Sequence, residues 1–231
     1  MANLYLIPCP ISEKKPAECL PPEALQALQN TKVFLVENLR SARRFISSCK
    51  LGITIDELAF FELNKKTSFD TVLEFLATKS EDIGVISEAG CPAVADPGSV
   101  AVVVAHELGM KVVPLIGPSS ILLTLMASGF NGQSFAFHGY LPINQKERGH
   151  KLKQLESKAF KEKQTQLFMD TPYRNNQVFE TILNTCLPTT RLCVASELTS
   201  SNEWIKTLTV ERWKKQKIDL HKKPVIFALY I

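Results

Sequence analysis

"VISEAGCPAVADPGSV", residues 85–100, is where the chain shows its architecture. An apolar run, "IGVIS", stops at Glu88; two glycines, two prolines and Asp96 follow before a second apolar run, "SVAVVVAHELG", begins. The first run has the length of a buried strand and the second the length of a helix. Gly90 permits a sharp backbone turn, Pro97 suits a first helical turn, and Asp96 is the expected N-cap. Strand, tight loop and helix in that order make half of a crossover unit, which implies parallel strands. The glycines and prolines serve either to build a tight loop or to shape a backbone against which a ligand lies. Both readings stand on these residues alone.

The same alternation extends in both directions. Before the stretch lie "LYLIP" (strand), "PEALQALQN" (helix with prolines at its start), "KVFLVE" (strand), "LRSARRFISSCK" (helix) and "TSFDTVLEFLATKS" (helix, capped by Thr67 or Ser68). After it, Gly109 ends the helix and "KVVPLIG" reads as a strand. "PSSILLTLMASGF" then reads as a buried helix, with Ser119 and Ser120 placed as caps or as ligand contacts. From "QSFAFHGYLP" onward the pattern repeats on a smaller scale. It runs through a charged helix at 144–161, "TQLFMD", "NNQVFETILNTC", "RLCVAS", "EWIKTLTVERWKKQ" and a terminal strand "KPVIFALYI". The expectation is an α/β protein of two α/β domains, residues 1–116 and 117–231, with the boundary between 116 and 132. A cleft between two such domains is a common ligand site.

Composition removes several function classes. Hydrophobic residues at 45% against 22% charged describe a folded chain. No apolar run reaches the roughly 18 residues that span a bilayer. "MANLYLIPCP" lacks the basic lead of a signal peptide, so the expected location is the cytoplasm, with no membrane partner. Six cysteines form no CxxC and four histidines show no ligand spacing; reduced thiols and no metal site are expected. From Tyr140 onward there are 16 Lys+Arg against 9 Asp+Glu, while residues 1–139 carry the acidic excess. A basic half suits either solvated lysines on helix faces or a polyanion, with Lys146, Arg148, Lys151 and Lys153 at a helix suited to phosphate contacts.

No GxGxxG, P-loop or GxSxG occurs, which argues against a simple dinucleotide enzyme, a P-loop NTPase and an α/β-hydrolase. Three strand ends instead carry small and turn-forming residues: Pro8-Cys9-Pro10, Ser87-Glu88-Ala89-Gly90 and Gly117-Pro118-Ser119-Ser120. Ligands of parallel sheets bind beyond such ends.

Taken in order, "LYLIPCPI", "VENLRSARRFI", "VISEAGCPAVADPG", "MKVVPLIGPSSI", "ASGF", "FAFHGYLP", "LFMDTPYR" and "ASELT" resemble the tetrapyrrole methylase-like (class III) methyltransferases that use S-adenosylmethionine (SAM). The ribosomal RNA branch is the most similar. The resemblance spans nearly the whole chain, with "SEAGCPAVADPG" and "VVPLIGPSS" its most specific parts. It implies a homodimer of two-domain subunits with the cofactor cleft between the domains, Pro8 beside SAM, Glu88 where the family usually has an Asp, and Gly90 and Cys91 in the same loop. Ser119, Ser120 and Ile121 would meet SAM from the connecting helix, and Met169, Ala195 and Pro224 would close over its adenine. The implied acceptor is a ribose 2′-hydroxyl of small-subunit rRNA, with RNA as partner. Glu37, Arg40 and Glu197 are the catalytic candidates, a carboxylate taking the hydroxyl proton. Glu37 as partner of Arg40 and Glu197 as a loop acceptor are the structural alternatives.

The chain departs from that pattern at one face. "PISEKKPAECL" replaces a Gly-Asn loop, Glu37-Asn38-Leu39-Arg40 replaces Glu-Asp-Thr-Arg, and "ELNKKTSFD" replaces a His-Asp-His-Asn-like segment. The departures keep two other readings in view: a tetrapyrrole or protein acceptor, and an inert paralogue that binds SAM without catalysis.

Overall fold

The computed structural model describes residues 2–63 and 67–231; the centre of "ELNKKTSFD" lies outside the described residues. The chain divides into two compact units, Met1–Ser119 and Ser120–Ile231.

The first unit runs β1 (Asn3–Ile7), α1 (Pro16–Cys19), α2 (Pro22–Asn30), β2 (Val33–Val36), α3 (Leu39–Ser48), β3 (Ala59–Glu62), α4 (Phe69–Ala77), β4 (Ile83–Ile86), α5 (Ser99–Glu107) and β5 (Lys111–Pro114). Its sheet is parallel throughout, in the order β3-β2-β4-β1-β5. β2 and β4 are buried at every residue because helices cover both faces, which is why "VFLV" and "IGVI" are unbroken apolar runs. Asn38 and Ser68 cap α3 and α4 by accepting from Ser41 N and Thr71 N. Edge strand β3, "AFFE", is half exposed and four residues long, and the alternation gives no sign of it.

One cap differs from expectation. Helix α5 starts at Ser99, Gly98 is its N-cap, and no side chain caps it. Asp96 lies two residues too early and points elsewhere.

The second unit comprises α6 (Ser120–Ser128), β6 (Phe135–Tyr140), α7 (Gln145–Glu162), β7 (Thr165–Met169), α8 (Asn175–Thr185), β8 (Arg191–Ser196), β9 (Trp204–Thr209), α9 (Val210–Trp213) and β10 (Val225–Tyr230). Its sheet order is β6-β7-β10-β8-β9. Only β6 and β7 pair in parallel; β10 is antiparallel to both β7 and β8, and β9 to β8. The terminal strand enters the middle of the sheet, so the repeated alternation does not yield a second parallel sheet. One face packs Phe168, Val194 and Phe227 with Leu152, Val178 and Trp213 from the helices. The other packs Leu167, Cys193, Ile226 and Ala228 beneath Ile121 and Leu125 of α6.

Helix α7 begins at Asn144, whose side chain accepts from Lys146 N and Glu147 N. Arg148 is not a phosphate contact. It is 3% exposed and donates Nε to Thr181 Oγ1 (3.1 Å) and Nη1 to Ile143 O (3.0 Å). Among the described residues no helix is long and apolar enough to cross a membrane.

Candidate functional site

In the first sheet the connection out of β1 leads toward β2 and that out of β4 leads the opposite way, to β5. β1 and β4 are neighbours, so a crevice opens at their carboxyl ends, the switch point where doubly wound sheets bind ligands. Pro8 and Cys9 follow β1 there, and Ser87 to Gly90 follow β4. The two loops are joined by a reciprocal backbone pair, Cys9 N to Gly90 O (2.9 Å) and Gly90 N to Cys9 O (3.0 Å). The buried Cys9 thiol donates to Ser87 O (3.3 Å), and burial pushes its pKa far up, so it acts as a neutral donor.

The loop after β5 closes onto the same place. Cys91 Sγ donates to Pro118 O at 3.5 Å. A Cβ on Gly117 would lie 2.2 Å from Pro8 Cβ, so only glycine lets this loop reach Pro8. Gly90 has φ +73°, and a Cβ there would meet Ile11 and the Pro118 carbonyl. Ala93 (φ 66°) and Ala95 (φ 65°) also adopt left-handed backbone, a strained conformation for residues with a Cβ. Pro8, Glu88, Gly90 and Cys91 therefore come together, and Ser119 follows directly on Pro118.

Three carboxylates ring this end of the sheet. Glu37, directly after β2, accepts from Glu88 N (3.3 Å), and Glu88 accepts from Ser41 Oγ (3.2 Å). Asp96 hydrogen-bonds Ser87; its pKa is raised from 3.8 to about 6, first by burial, then by Glu37 and Glu88. Glu37, Ser87 and Asp96 line a cavity of about 10 Å³, room for about one water. Glu37 is thus tied to the Glu88 backbone. Arg40 instead stands exposed in a groove with Arg43, Arg44 and Glu62. Among the described residues no three His, Cys, Asp or Glu side chains are grouped to hold a metal ion.

The second unit gathers its candidates at one end of its sheet. Ile226 pairs with Met169 on one side and Ala195 on the other, which sets the three on one face. Ile121 of α6 packs in the cluster on that face. Ser120 is the first residue of α6, which leaves the cap position to Ser119. Pro224 O accepts from Glu197 N (2.9 Å), and the Glu197 carboxylate pairs with Lys223 (3.7 Å). Glu197 (φ 52°) and Thr199 (φ 66°) repeat the left-handed backbone seen in the first unit.

Two kinds of residue escaped the sequence reading. Asp96 was expected as a cap and is a half-buried carboxylate beside Glu37 and Glu88. Asp170 is buried, and one of its oxygens accepts from Thr171 N and from the Arg174 guanidinium. Its signal was available: like Glu37 it is an acid directly after a strand, and Glu88 stands two residues past another.

The fold is that of the tetrapyrrole methylases. A crystal structure of the methyltransferase CobJ matches with TM-score 0.63 at 16% identity, covering 100% of this chain and 94% of that one. Uroporphyrin-III C-methyl transferase from Thermus thermophilus, solved in complex with S-adenosylhomocysteine, matches with TM-score 0.57 at 15% identity over 99% and 97%. No family model matches the chain. In sequence it is a relative of the proteins named ribosomal RNA small subunit methyltransferase I. It is 29% identical to that of Vibrio cholerae over 203 residues, 88% of this chain and 67% of that protein. It is 29% identical to that of Escherichia coli O157:H7 over 230 residues, 98% and 77%.

Proposed function

We propose that this chain is a SAM-dependent methyltransferase that methylates a ribose 2′-hydroxyl of small-subunit rRNA, acting as a homodimer in the cytoplasm. The observation that carries the reading is the relationship to the ribosomal RNA methyltransferases through both units, with the segments quoted for the resemblance gathered at the β1/β4 switch point in the first.

The residues fit the cofactor. SAM carries a sulfonium and an ammonium group, and Glu37, Glu88 and Asp96 give this end of the first sheet a matching negative potential. Pro8, Gly90, Cys91 and Ser119 supply a backbone held close by the Gly117 contact. In the second unit Ile121, Met169 and Ala195 offer an apolar surface suited to adenine, with Ser120 adjoining Ile121 and Pro224 directly before β10. When bound, SAM supplies an already activated methyl group. The protein has to align the acceptor oxygen, exclude water and receive one proton. Glu37 and Glu197 are the two carboxylates assigned to that proton, and Arg40 is assigned to the acceptor's phosphate.

Calorimetry with SAM and with S-adenosylhomocysteine tests the cofactor; a folded sample that binds neither rejects it. Deleting the gene, mapping rRNA ribose methylation and adding purified protein back to the hypomethylated small subunit tests the acceptor. One methyl mark lost and restored supports the reading, and an unchanged map sinks it. Sedimentation equilibrium reads the dimer.

A further inference from the structure

The turn after β7, where the segment "LFMDTPYR" ends, carries a long-range contact that no local pattern of the sequence marks. Tyr173 is 67% exposed, and its ring meets the edge of His221, 48 positions on in the chain, at 6.0 Å and 72°. The two segments are strapped together. Lys222 N donates to Pro172 O (3.0 Å), Asn176 Nδ2 donates to Asp219 Oδ1 (2.8 Å), and the same oxygen accepts from His221 N (3.0 Å).

Next to Tyr173, Arg174 is held from within. Its Nε and Nη2 both donate to the buried Asp170, and Nη1 has no partner among the described residues. An arginine fixed on one edge by a buried carboxylate keeps the rest of its planar donor fork for a ligand. Lys222, on the strapped segment, is exposed. Charge does not dominate here, because Asp170, Asp219 and Glu197 offset Arg174, Lys222 and Lys223. What distinguishes the surface is a braced aromatic ring beside an oriented guanidinium. That combination takes an unpaired nucleobase by stacking and the adjoining phosphate by hydrogen bonding.

We infer that Tyr173, braced by His221, stacks an unpaired base of the RNA strand next to the acceptor nucleotide, and that Arg174 holds the adjoining phosphate. The inference rests on the proposed RNA substrate. Its place follows from the second sheet, since Tyr173 lies four residues beyond Met169, at the end where Ala195, Pro224 and Glu197 also stand.

The probe is a single-stranded RNA of about 12 nucleotides carrying 2-aminopurine, whose fluorescence is quenched on stacking. The parent and Tyr173→Phe are expected to quench it and to bind it equally. Tyr173→Ala should abolish the quenching and weaken binding by about 5- to 150-fold, with SAM affinity and melting temperature unchanged. His221→Ala should give a smaller loss of the same kind. Tyr173→Ala binding and quenching like the parent, or a parent that binds no such RNA at low salt, overturns the inference. A folded parent that binds RNA through Tyr173 but binds no SAM leaves the stacking surface standing and removes the methyltransferase reading instead.

Discussion

Gly117 and Asp96 show how single residues set the switch-point site. At Gly117 the space for a side chain is occupied by Pro8, 2.2 Å from where a Cβ would lie. Gly117→Ala must push the loop off β1, and we expect a loss on the order of 1–3 kcal/mol in urea unfolding together with weaker SAM binding. Asp96 works in the opposite sense. Burial, Glu37 and Glu88 raise its pKa to about 6, so the folded state holds this proton more tightly than the unfolded chain does. Its contribution is therefore most favourable below its ordinary pKa and is lost as pH rises through about 6. The site is only half buried, and solvent screening reduces the penalty to on the order of 1 kcal/mol. Asp96→Asn should be more stable than the parent by that amount at about pH 8, the difference closing near pH 4, as read by urea melts at each pH. A parent that is the more stable of the two at high pH would contradict the assignment.

Among the elements, α7 gives the clearest account of local rules. Asn144 satisfies two orphan amides at its start, and Lys163 ends it in left-handed backbone (φ 52°), the conformation that glycine adopts without strain. Asn144→Ala should cost about 1 kcal/mol. Lys163→Gly should gain about 0.5–1 kcal/mol, the relief of the left-handed strain outweighing the added chain entropy. For a chain of this size each kcal/mol moves the melting temperature by about 2–4 °C, so calorimetric melts resolve both changes. Arg148, on the same helix, shows where charge counting fails: its position in a lysine-rich run suggests phosphate, while its side chain lies inside against Thr181.

At the scale of the whole molecule, a ligand that binds only the folded chain must raise its stability. SAM at about 100 times its dissociation constant should add about 2.7 kcal/mol. A melting temperature that does not move with SAM concentration would remove the cofactor from the account. The basic excess after Tyr140 predicts that RNA affinity falls as salt rises. Titrations across a salt series read the slope, and a flat line would point to an acceptor other than RNA.

The strands and helices of the first unit were legible because burial on both faces demands unbroken apolar runs, as in "VFLV" and "IGVI", and because turn residues mark their ends. The loops at Pro8, Glu88 and Gly117 were legible for a related reason, since tight turns admit few residue types. Strand β3 was not, because a short edge strand needs neither a full apolar run nor alternation. Nor was the antiparallel place of β10, because the choice of neighbours is made by long-range packing that leaves no local period. Asp96 beside Glu37, and Tyr173 against His221, belong to the same class. By itself the sequence determined the buried strands and the longer helices of the first unit, and the turn-rich loops at their ends. Only the tertiary structure decided which charges face one another and which side chains are withdrawn into the core, because those contacts join residues tens of positions apart.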